Sequence, residues 1–561
     1  MAVEKAILGG ATALTFGRAG VWSEVRKWGP ALVRIAVVLW SFIWTYIVGH
    51  FGLYAFDQSI MFDGGWRILC GQVPFKDFIM AFGPLSFTVQ ALFFKLFGVN
   101  WTSMVLAAAF AGAIAALSVM RITSLLFGKK RAWLIGLSGL LVGTSFQSMF
   151  GTLWIEQVGF LACLLGIQMI CESTRARNRV RFLYLGLAGA LAVMAFLAKQ
   201  NVGVLTFVLL SILTVLAAAP EPKDIVKCLF SFLIGVAVAV SVFALWLVTY
   251  SDPHLFIRYA LQVPSQVGRD RISLKTLFFP PWLLQPTGTT QWCYAVSLGA
   301  AFQCMVLVIF NRGFRESFLA SPGCRLAFGL AIGIPFVQRI FEMTTMNISQ
   351  NMLSLSGLIL SLGIGLFLLL PGGSEKSRPW IPVLACFVGS FLFVEIAFFS
   401  WNRMLRPVFP QKAHNLSKRL HVPELANVFW ISPTLAGVHP TDPELNPQDI
   451  DAVCSYLRSQ KKDFLVLGDS SYLYGINGVV PPQPILYFQT HHFYDDSDIP
   501  RLDEWVLSSV KKRDIRIIVR EKSSVFPATL DADLPLPKVI EWVSDNFRPG
   551  PTFGNFEILL R

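Results

Sequence analysis

Three aspartates close to the first long apolar run are the residues best placed to do chemistry. Asp57, Asp63 and Asp77 lie within residues 56–97 and form the largest group of acidic side chains beside any one apolar run. A carboxylate beside lipid is costly, so one that occurs there usually serves a function. A well-placed carboxylate can take a proton from a hydroxyl group. The stretch 56–97 is therefore the candidate reaction site.

The elements that must position these aspartates are membrane helices. Of the 561 residues, 54% are hydrophobic and 14% are charged, and the mean hydropathy is +0.58. Apolar runs of about 18 residues or more, enough to cross a bilayer, recur up to residue 400. After residue 403 the composition becomes that of a soluble domain. We therefore expect an α-helical polytopic membrane protein with a C-terminal soluble domain.

The net charge of +13 belongs to the membrane part of the chain. Residues 403–561 carry 18 basic and 19 acidic side chains and are nearly neutral. The basic excess therefore lies in 1–402, between the apolar runs, which is the pattern that orients a protein in a bilayer. No nucleic-acid partner is expected.

The apolar runs and the basic clusters between them predict about 11 transmembrane helices. Residues 1–30 are expected to form a cytoplasmic N-terminus, 31–402 the membrane domain, and 403–561 an extracytoplasmic domain, called the tail below. The segment 55–100 becomes the first outer loop, and its second half, 85–98, is too short to cross and is expected to lie at the interface. The protein is placed in the cell (inner) membrane, as a multi-pass protein in contact with lipid. The predicted spans are 31–54, 101–122, 132–148, 153–171, 182–198, 202–218, 228–250, 291–310, 326–341, 351–371 and 380–400.

Alternating strands and helices predict a small α/β fold for the tail. Its sheet is expected to be mostly parallel. The turn Gly468-Asp469-Ser470 follows the first strand, and it indicates either an anion site at a helix N-terminus or a plain helix cap. The predicted strands are 464–467, 515–519 and 556–560, and the predicted helices are 502–512 and 535–546.

The order of residues after the first predicted span resembles the first outer loop of the GT-C superfamily of polytopic membrane glycosyltransferases. It is most similar to the bacterial protein-mannosyltransferase-like and aminoarabinose-transferase-like members. In these proteins an Asp, often followed by a second acid, precedes a helix ending in Gly. Pro, an aromatic residue and an Asp follow, and then a Pro-containing apolar helix ending in Phe-Gly. The matching stretches are Asp57-Gln58, Trp66-Arg67-Ile68-Leu69-Cys70-Gly71, Val73-Pro74-Phe75-Lys76-Asp77-Phe78, Gly83-Pro84-Leu85 and Leu96-Phe97-Gly98.

The resemblance implies transfer of a sugar, with inversion, from a polyprenyl-phosphate-linked donor to a hydroxyl of a lipid, glycan or protein acceptor. Asp57 matches the family's catalytic Asp and is expected to be the base, because a hydroxyl is a poor nucleophile until its proton is taken. Asp77 matches the second loop acid and is expected to orient the acceptor or the loop. Asp63 lies about 240° around a helix from Asp57 and is expected to be a cap or a solvated residue.

Basic residues are expected to hold the donor phosphate as it leaves. Lys199, between predicted spans five and six, matches a comparable Lys of the family; the alternative is a lysine that reaches to the interface. Arg258, Arg269 and Arg271 make an outer segment net basic, against the charge rule, which favours a phosphate ligand. Contact with lipid headgroups or with the tail is the alternative for this segment.

Two further charged residues are expected at the same outer level. Glu156 opens predicted span four, where similar transferases often have Glu, and is either a substrate-site residue or a structural partner of a base. Arg339, at the end of predicted span nine, is a phosphate candidate or the partner of Glu342 on one helix face.

Other kinds of protein also fit this sequence. A transporter or flippase for a lipid-linked saccharide would have many spans, although we find no internal repeat with paired broken helices. A non-catalytic cell-envelope assembly protein could share the fold, because fold does not fix function. Neither Cys-x-x-Cys nor a His-rich metal motif occurs. No cofactor is predicted with certainty. A divalent metal is left open, although Gln58 stands where relatives often carry a second acid, which counts against an acid-pair metal site.

Overall fold

The computed structural model describes residues 18–128 (except 51, 52 and 54), 132–147, 151–266, 305–345, 420–428 (except 427), 446–488 (except 487), 494–522 and 536–561, with a few isolated residues elsewhere. Within these residues, seven helices are long and apolar enough to cross a membrane. The multi-pass architecture is therefore confirmed. The seven helices are α1 (Arg18–Val48), α4 (Trp101–Phe127), α6 (Ile155–Ser173), α7 (Asn178–Ala198), α8 (Gln200–Ala218), α9 (Pro222–Tyr250) and α11 (Pro322–Thr345).

These helices coincide with seven of the predicted spans. The predicted span 132–148 is a helix of 14 residues, α5 (Ala132–Ser145), shorter than the other seven. A short amphipathic helix, α10 (Arg312–Ala320), precedes α11. The predicted spans 351–371 and 380–400, and most of 291–310, lie outside the described residues, so the number eleven stays a prediction.

The helix α4 shows how sequence and packing agree in the membrane domain. Asn100 caps its start, because its side chain accepts a hydrogen bond from the amide of Ser103 at 2.9 Å. Gly128 follows its last residue with φ of 76°, a conformation that Gly adopts without steric cost. Small residues, among them Ala108 and Ala115, are fully buried along it. They let neighbouring helices approach closely, as is common in membranes.

The segment 55–100 folds into two helices joined by a tight loop. The helix α2 (Ala55–Leu69) carries Asp57 in its first turn. The helix α3 (Leu85–Phe97) has 13 residues, which is too few to cross a bilayer. We call residues 70–84 between them the connecting loop.

The tail is a four-stranded sheet in the order β1-β2-β4-β3, covered by helices. Among the strands that the structure describes, only the pair β1 and β2 is parallel, so the prediction of a mostly parallel sheet was wrong. The sequence reading missed β3, which joins β4 through Gly554 and Asn555. So short a connection forces antiparallel pairing. The elements are α12 (Pro447–Gln460), β1 (Phe464–Leu467), α13 (Tyr472–Asn477), α14 (Ile499–Lys512), β2 (Ile517–Glu521), α15 (Pro537–Asn546), β3 (Arg548–Phe553) and β4 (Phe556–Leu560).

One hydrophobic core is shared by the membrane domain and the tail. Phe62 of α2 and Phe78 of the connecting loop are fully buried in the same cluster as Tyr474 and Ile485 of the tail. Gly475 packs so closely on α2 that an added Cβ would lie 2.6 Å from the Phe62 ring. The tail is therefore packed on α2 and the connecting loop. We call the end of the helix bundle that carries α2, the connecting loop and the docked tail the tail face.

Candidate active site

The start of α2 is held against the segment that leads into α6. Gln58 is buried, and its Nε2 donates a hydrogen bond to Thr152 Oγ1 at 3.2 Å. Gln58 stands where relatives often have a second acid, so an amide contact takes the place of that carboxylate. The backbone of Asp57 precedes Gln58 in α2. Its side chain lies outside what the structure describes, and its role as the base stays a prediction.

Lys199 and Glu156, predicted separately, form a salt bridge at the tail face. Lys199 links α7 to α8 in an extended conformation, and Glu156 lies in the first turn of α6. Lys199 Nζ donates to Glu156 Oε1, and the two side chains are only 15% and 7% exposed. Phe82 and Phe341 flank the ammonium group, with ring centroids 5.8 and 5.6 Å away. The structure thus gives Glu156 a basic partner, one of the two alternatives drawn from the sequence.

The second oxygen of Glu156 is available for a further contact. Oε2 is buried and accepts no hydrogen bond from the part of the chain that the structure describes. A buried, unsatisfied carboxylate oxygen is costly, so it favours a donor from a bound molecule or from water. The salt bridge can therefore take a hydroxyl of a substrate as well as an anion.

The connecting loop ends directly beside Lys199. The carbonyl oxygen of Ala81 accepts a hydrogen bond from Gln200 Nε2 at 3.3 Å. At Gly83 an added Cβ would lie 2.0 Å from the carbonyl oxygen of Leu197, so the backbones touch. Only Gly permits this approach. The loop is thereby seated on the corner between α7 and α8.

Asp77 closes a turn within the connecting loop. Its Oδ2 accepts a hydrogen bond from the amide of Val73 at 2.7 Å, while the side chain is exposed. The turn between them places Phe75 at φ of 61°, a strained value for a non-Gly residue, with its ring fully buried. Asp77 therefore shapes the loop. Its role in orienting an acceptor stays a prediction.

Arg258 contacts the tail. It lies in a π-helical segment, Phe256–Gln262, just after α9. Its guanidinium donates to Oδ1 and to Oδ2 of Asp498, both at 3.1 Å, and lies 3.7 Å from Asp495. The hydrogen bond to Asp498 holds the pKa of Arg258 above its usual value. The structure thus has the tail contact named as the alternative from sequence, and the phosphate role stays a prediction.

The other arginine candidates for phosphate binding are Arg339, Arg269 and Arg271. Arg339 is buried in α11 at 3% exposure. Arg339 lies two residues before Phe341, the residue that flanks Lys199. The two side chains therefore leave α11 about 200° apart, on nearly opposite sides of the helix. The side chain of Glu342, its alternative partner, and the residues Arg269 and Arg271 lie outside what the structure describes.

Sequence reasoning missed a buried ion pair in α2. Asp63 and Arg67 are both fully buried, and Arg67 Nε lies 2.9 Å from Asp63 Oδ2. The prediction that Asp63 is a cap or a solvated residue was wrong, because the tail covers this face of the helix. Burial raises the pKa of Asp63 to about 6, against the opposing effect of Arg67. The spacing of four residues between acid and base was the available signal.

The Gly468-Asp469-Ser470 turn is occupied by a carboxyl group of its own chain. Glu521, the last residue of β2, accepts hydrogen bonds from the amides of Asp469 and Ser470 at 3.1 and 2.8 Å. Burial and the neighbouring Asp469 raise the pKa of Glu521 to about 8. This turn is therefore filled from within.

The described residues contain no group of three or more His, Cys, Asp or Glu side chains arranged to hold a metal ion. Next to the end of the connecting loop, the charged groups are one acid and one base, Glu156 and Lys199.

The bundle of apolar helices, the connecting loop and the docked α/β tail together make a fold that is found in known membrane proteins. Two crystal structures of ArnT from Cupriavidus metallidurans have this fold. The structure bound to undecaprenyl phosphate aligns with a TM-score of 0.53 and 12% sequence identity, over 95% of this chain and 98% of that one. For the apo structure the TM-score is 0.54 and the identity 13%, over 95% and 97%. No family model matches the chain, and no curated protein sequence matches it significantly.

Proposed function

We propose that this protein is an inverting membrane glycosyltransferase that moves a sugar from a polyprenyl-phosphate-linked donor to an acceptor hydroxyl. The observation that carries the proposal is the buried pair of Lys199 and Glu156 beneath the connecting loop. It provides one fixed cation and one unsatisfied carboxylate oxygen. A lipid phosphate and a hydroxyl are ligands that match these two groups. The fold is shared with a transferase whose structure holds undecaprenyl phosphate.

In the proposed reaction Asp57 is the base. It takes the proton of the acceptor hydroxyl, whose oxygen attacks the anomeric carbon of the donor sugar. The bond from that carbon to the phosphate oxygen breaks, and the polyprenyl phosphate leaves with the electron pair. Attack on the face opposite the leaving group inverts the configuration. Lys199 stabilises the negative charge that grows on the phosphate, and Asp77 supports the reaction by holding the turn of the connecting loop.

An apolar cleft beside the loop suits the hydrocarbon chain of a lipid-linked substrate. Its volume is about 490 Å³. Val73, whose amide is held by Asp77, lines the cleft together with Leu197, two residues before Lys199. Trp246 and Tyr250, near the end of α9, line it as well, and such aromatic residues are frequent at the membrane–water boundary. A chain lying here would bring its head group towards the salt bridge.

We further propose that the tail face is extracytoplasmic, in the cell (inner) membrane. The basic clusters of the sequence support this, since Arg175 and Arg325 lie at the opposite end of the bundle. Their guanidinium groups bind backbone carbonyls at the ends of α4 and α8, where the helix dipole favours positive charge. The acceptor would then be a lipid, glycan or protein at the outer face.

The test uses Asp57→Asn protein in membranes supplied with radiolabelled polyprenyl-phosphate sugar. Loss of a general base typically costs about 10²- to 10⁴-fold in rate. The matched control is Asp252→Asn. Asp252 lies just after α9 and accepts hydrogen bonds from the amides of His254 and Leu255, which an Asn oxygen can also accept. Transfer at the wild-type rate by the Asp57 variant would exclude Asp57 as the base.

A further inference from the structure

Arg67 joins three parts of the molecule that are far apart in sequence. It is fully buried, and its Nε donates to Asp63 in the same helix. Its Nη1 donates to the carbonyl oxygen of Gln483 at 2.8 Å, and its Nη2 lies 3.5 Å from that of Ile485. The guanidinium also stacks over Phe78 of the connecting loop, 5.2 Å from the ring centroid. One side chain therefore contacts α2, the connecting loop and the tail.

The same tail segment, residues 479–485, pairs with the connecting loop through its backbone. The amide of Ile79 donates to the carbonyl oxygen of Pro484 at 2.9 Å. Ile79 and Ile485 form a parallel bridge. Trp66 Nε1 donates to the carbonyl oxygen of Val479 at 2.8 Å. This tail segment thus pairs with the connecting loop at one bridge and with α2 through Trp66.

A buried arginine is a poor choice for stability alone. Replacing a buried ion pair by well-packed apolar residues is often neutral or stabilising. The ring next to the guanidinium, that of Phe78, is fully buried and apolar. What an arginine adds is a planar fork that fixes which carbonyl oxygens it meets. A shift of the tail by one residue would leave Nη1 and Nη2 of the guanidinium buried without these carbonyl partners, while Nε would keep Asp63.

We propose that Arg67, held by Asp63, sets the register of the tail on the connecting loop and is a positioning residue for sugar transfer. The loop whose register it sets continues to Gly83, which touches Leu197, two residues before Lys199. The helix that carries Arg67 has Asp57 in its first turn. The tail is then a working part of the reaction site. The inference about catalysis rests on the proposed transferase function, whereas the register can be measured without activity.

The test measures register by disulfide formation between Ile79→Cys and Ile485→Cys in the full-length protein. Bridged residues of neighbouring strands lie within the distance a disulfide spans. We expect the double variant to cross-link on mild oxidation, and each single variant not to. Adding Arg67→Met should slow cross-linking by about tenfold or more, since register is no longer fixed. Every Arg67→Met protein also carries Asp63→Leu, so that no unpaired carboxylate is left in the core. Arg458→Met is the matched control, because Arg458 also donates to a tail carbonyl, that of Ile476, away from the loop.

Turnover is measured on the same proteins. With Arg67→Met we expect kcat to fall by about tenfold or more, as misplacement of reacting groups by about 1 Å can cost about 10²-fold. The Kd for undecaprenyl phosphate, measured by ligand-dependent thermal shift, should change by less than about twofold, well below a tenfold change in affinity. Oxidation of the Ile79→Cys and Ile485→Cys pair in the Arg67→Met background should restore kcat, because the disulfide replaces the lost register.

Three results would overturn the inference: no cross-link in the double variant, a cross-linking rate that does not depend on Arg67, or a kcat that oxidation does not restore. A double variant that cross-links in an Arg67-dependent way but never transfers sugar would instead overturn the proposed function and leave the register in place.

Discussion

The ammonium group of Lys199 donates a hydrogen bond to Oε1 of Glu156, across 43 positions of the chain. The pair joins the corner between α7 and α8 to the first turn of α6, and the connecting loop lies over it. Both side chains are largely buried, so each holds the other at a fixed place. Lys199 reaches this position already paired, and a donor phosphate would have to share it with Glu156.

The first prediction concerns Lys199. Lys199→Gln removes the positive charge and keeps a hydrogen-bond donor for Glu156. A hydrogen bond to a charged group contributes roughly 1.5–3 kcal/mol, so we expect the Kd for undecaprenyl phosphate to rise by about 10- to 100-fold. The exposed Lys95→Gln serves as the control and should bind as the wild type does. Equal affinity in both variants would refute a phosphate contact by Lys199.

The second prediction concerns the turn that Asp77 closes. Asp77→Asn retains an oxygen that can accept the Val73 amide, whereas Asp77→Ala does not. If Asp77 acts by shaping the loop, Asp77→Asn should stay within about threefold of the wild-type kcat and Asp77→Ala should lose about tenfold or more. Steady-state transfer assays decide between them. An equal, large loss in both variants would mean that the negative charge itself is needed.

The third prediction concerns the stability of the tail against pH. Burial and Asp469 raise the pKa of Glu521 to about 8, from 4.5 in an unperturbed Glu. Between these two pH values, the folded protein therefore keeps a proton on Glu521 that the unfolded chain releases. The contribution of Glu521 to stability is fully present below about pH 4.5 and is lost as pH rises to about 8.

We expect the melting temperature to fall as pH rises from about 5 to about 8. This fall should be smaller in Glu521→Gln than in the wild type. Glu504→Gln is the control, because Glu504 is an exposed carboxylate of the same domain, paired with Lys538. The idea fails if all three proteins have the same pH dependence.

The fourth prediction concerns orientation in the membrane. A membrane-impermeant maleimide added outside intact cells should label Ser265→Cys, beside the tail face, and Ser455→Cys, in the tail; both positions are exposed. Arg179→Cys, at the other end of α7, should be labelled only after the membrane is opened. Labelling is compared with that of the parent protein, which has nine cysteines. The reverse pattern would place the tail in the cytoplasm.

The sequence by itself determined the local structure of this protein. Apolar runs of sufficient length fix where helices cross the membrane, and signals such as Asn100 and Gly128 fix where a helix begins and ends. The order of residues from Asp57 to Gly98 likewise indicated a helix, a tight loop and a short second helix. These features depend on neighbours along the chain, which a sequence shows directly.

The tertiary structure decided which charged groups meet. Lys199 pairs with Glu156, Arg67 with carbonyls 416 and 418 positions away, and Arg258 with Asp498, 240 positions away. A charge on a sequence does not name its partner, because the partner depends on how whole elements pack. Burial likewise made Asp63 a buried ion-pair residue rather than a solvated one, since the side of α2 that the tail covers is set by the shared core and not by the helix period.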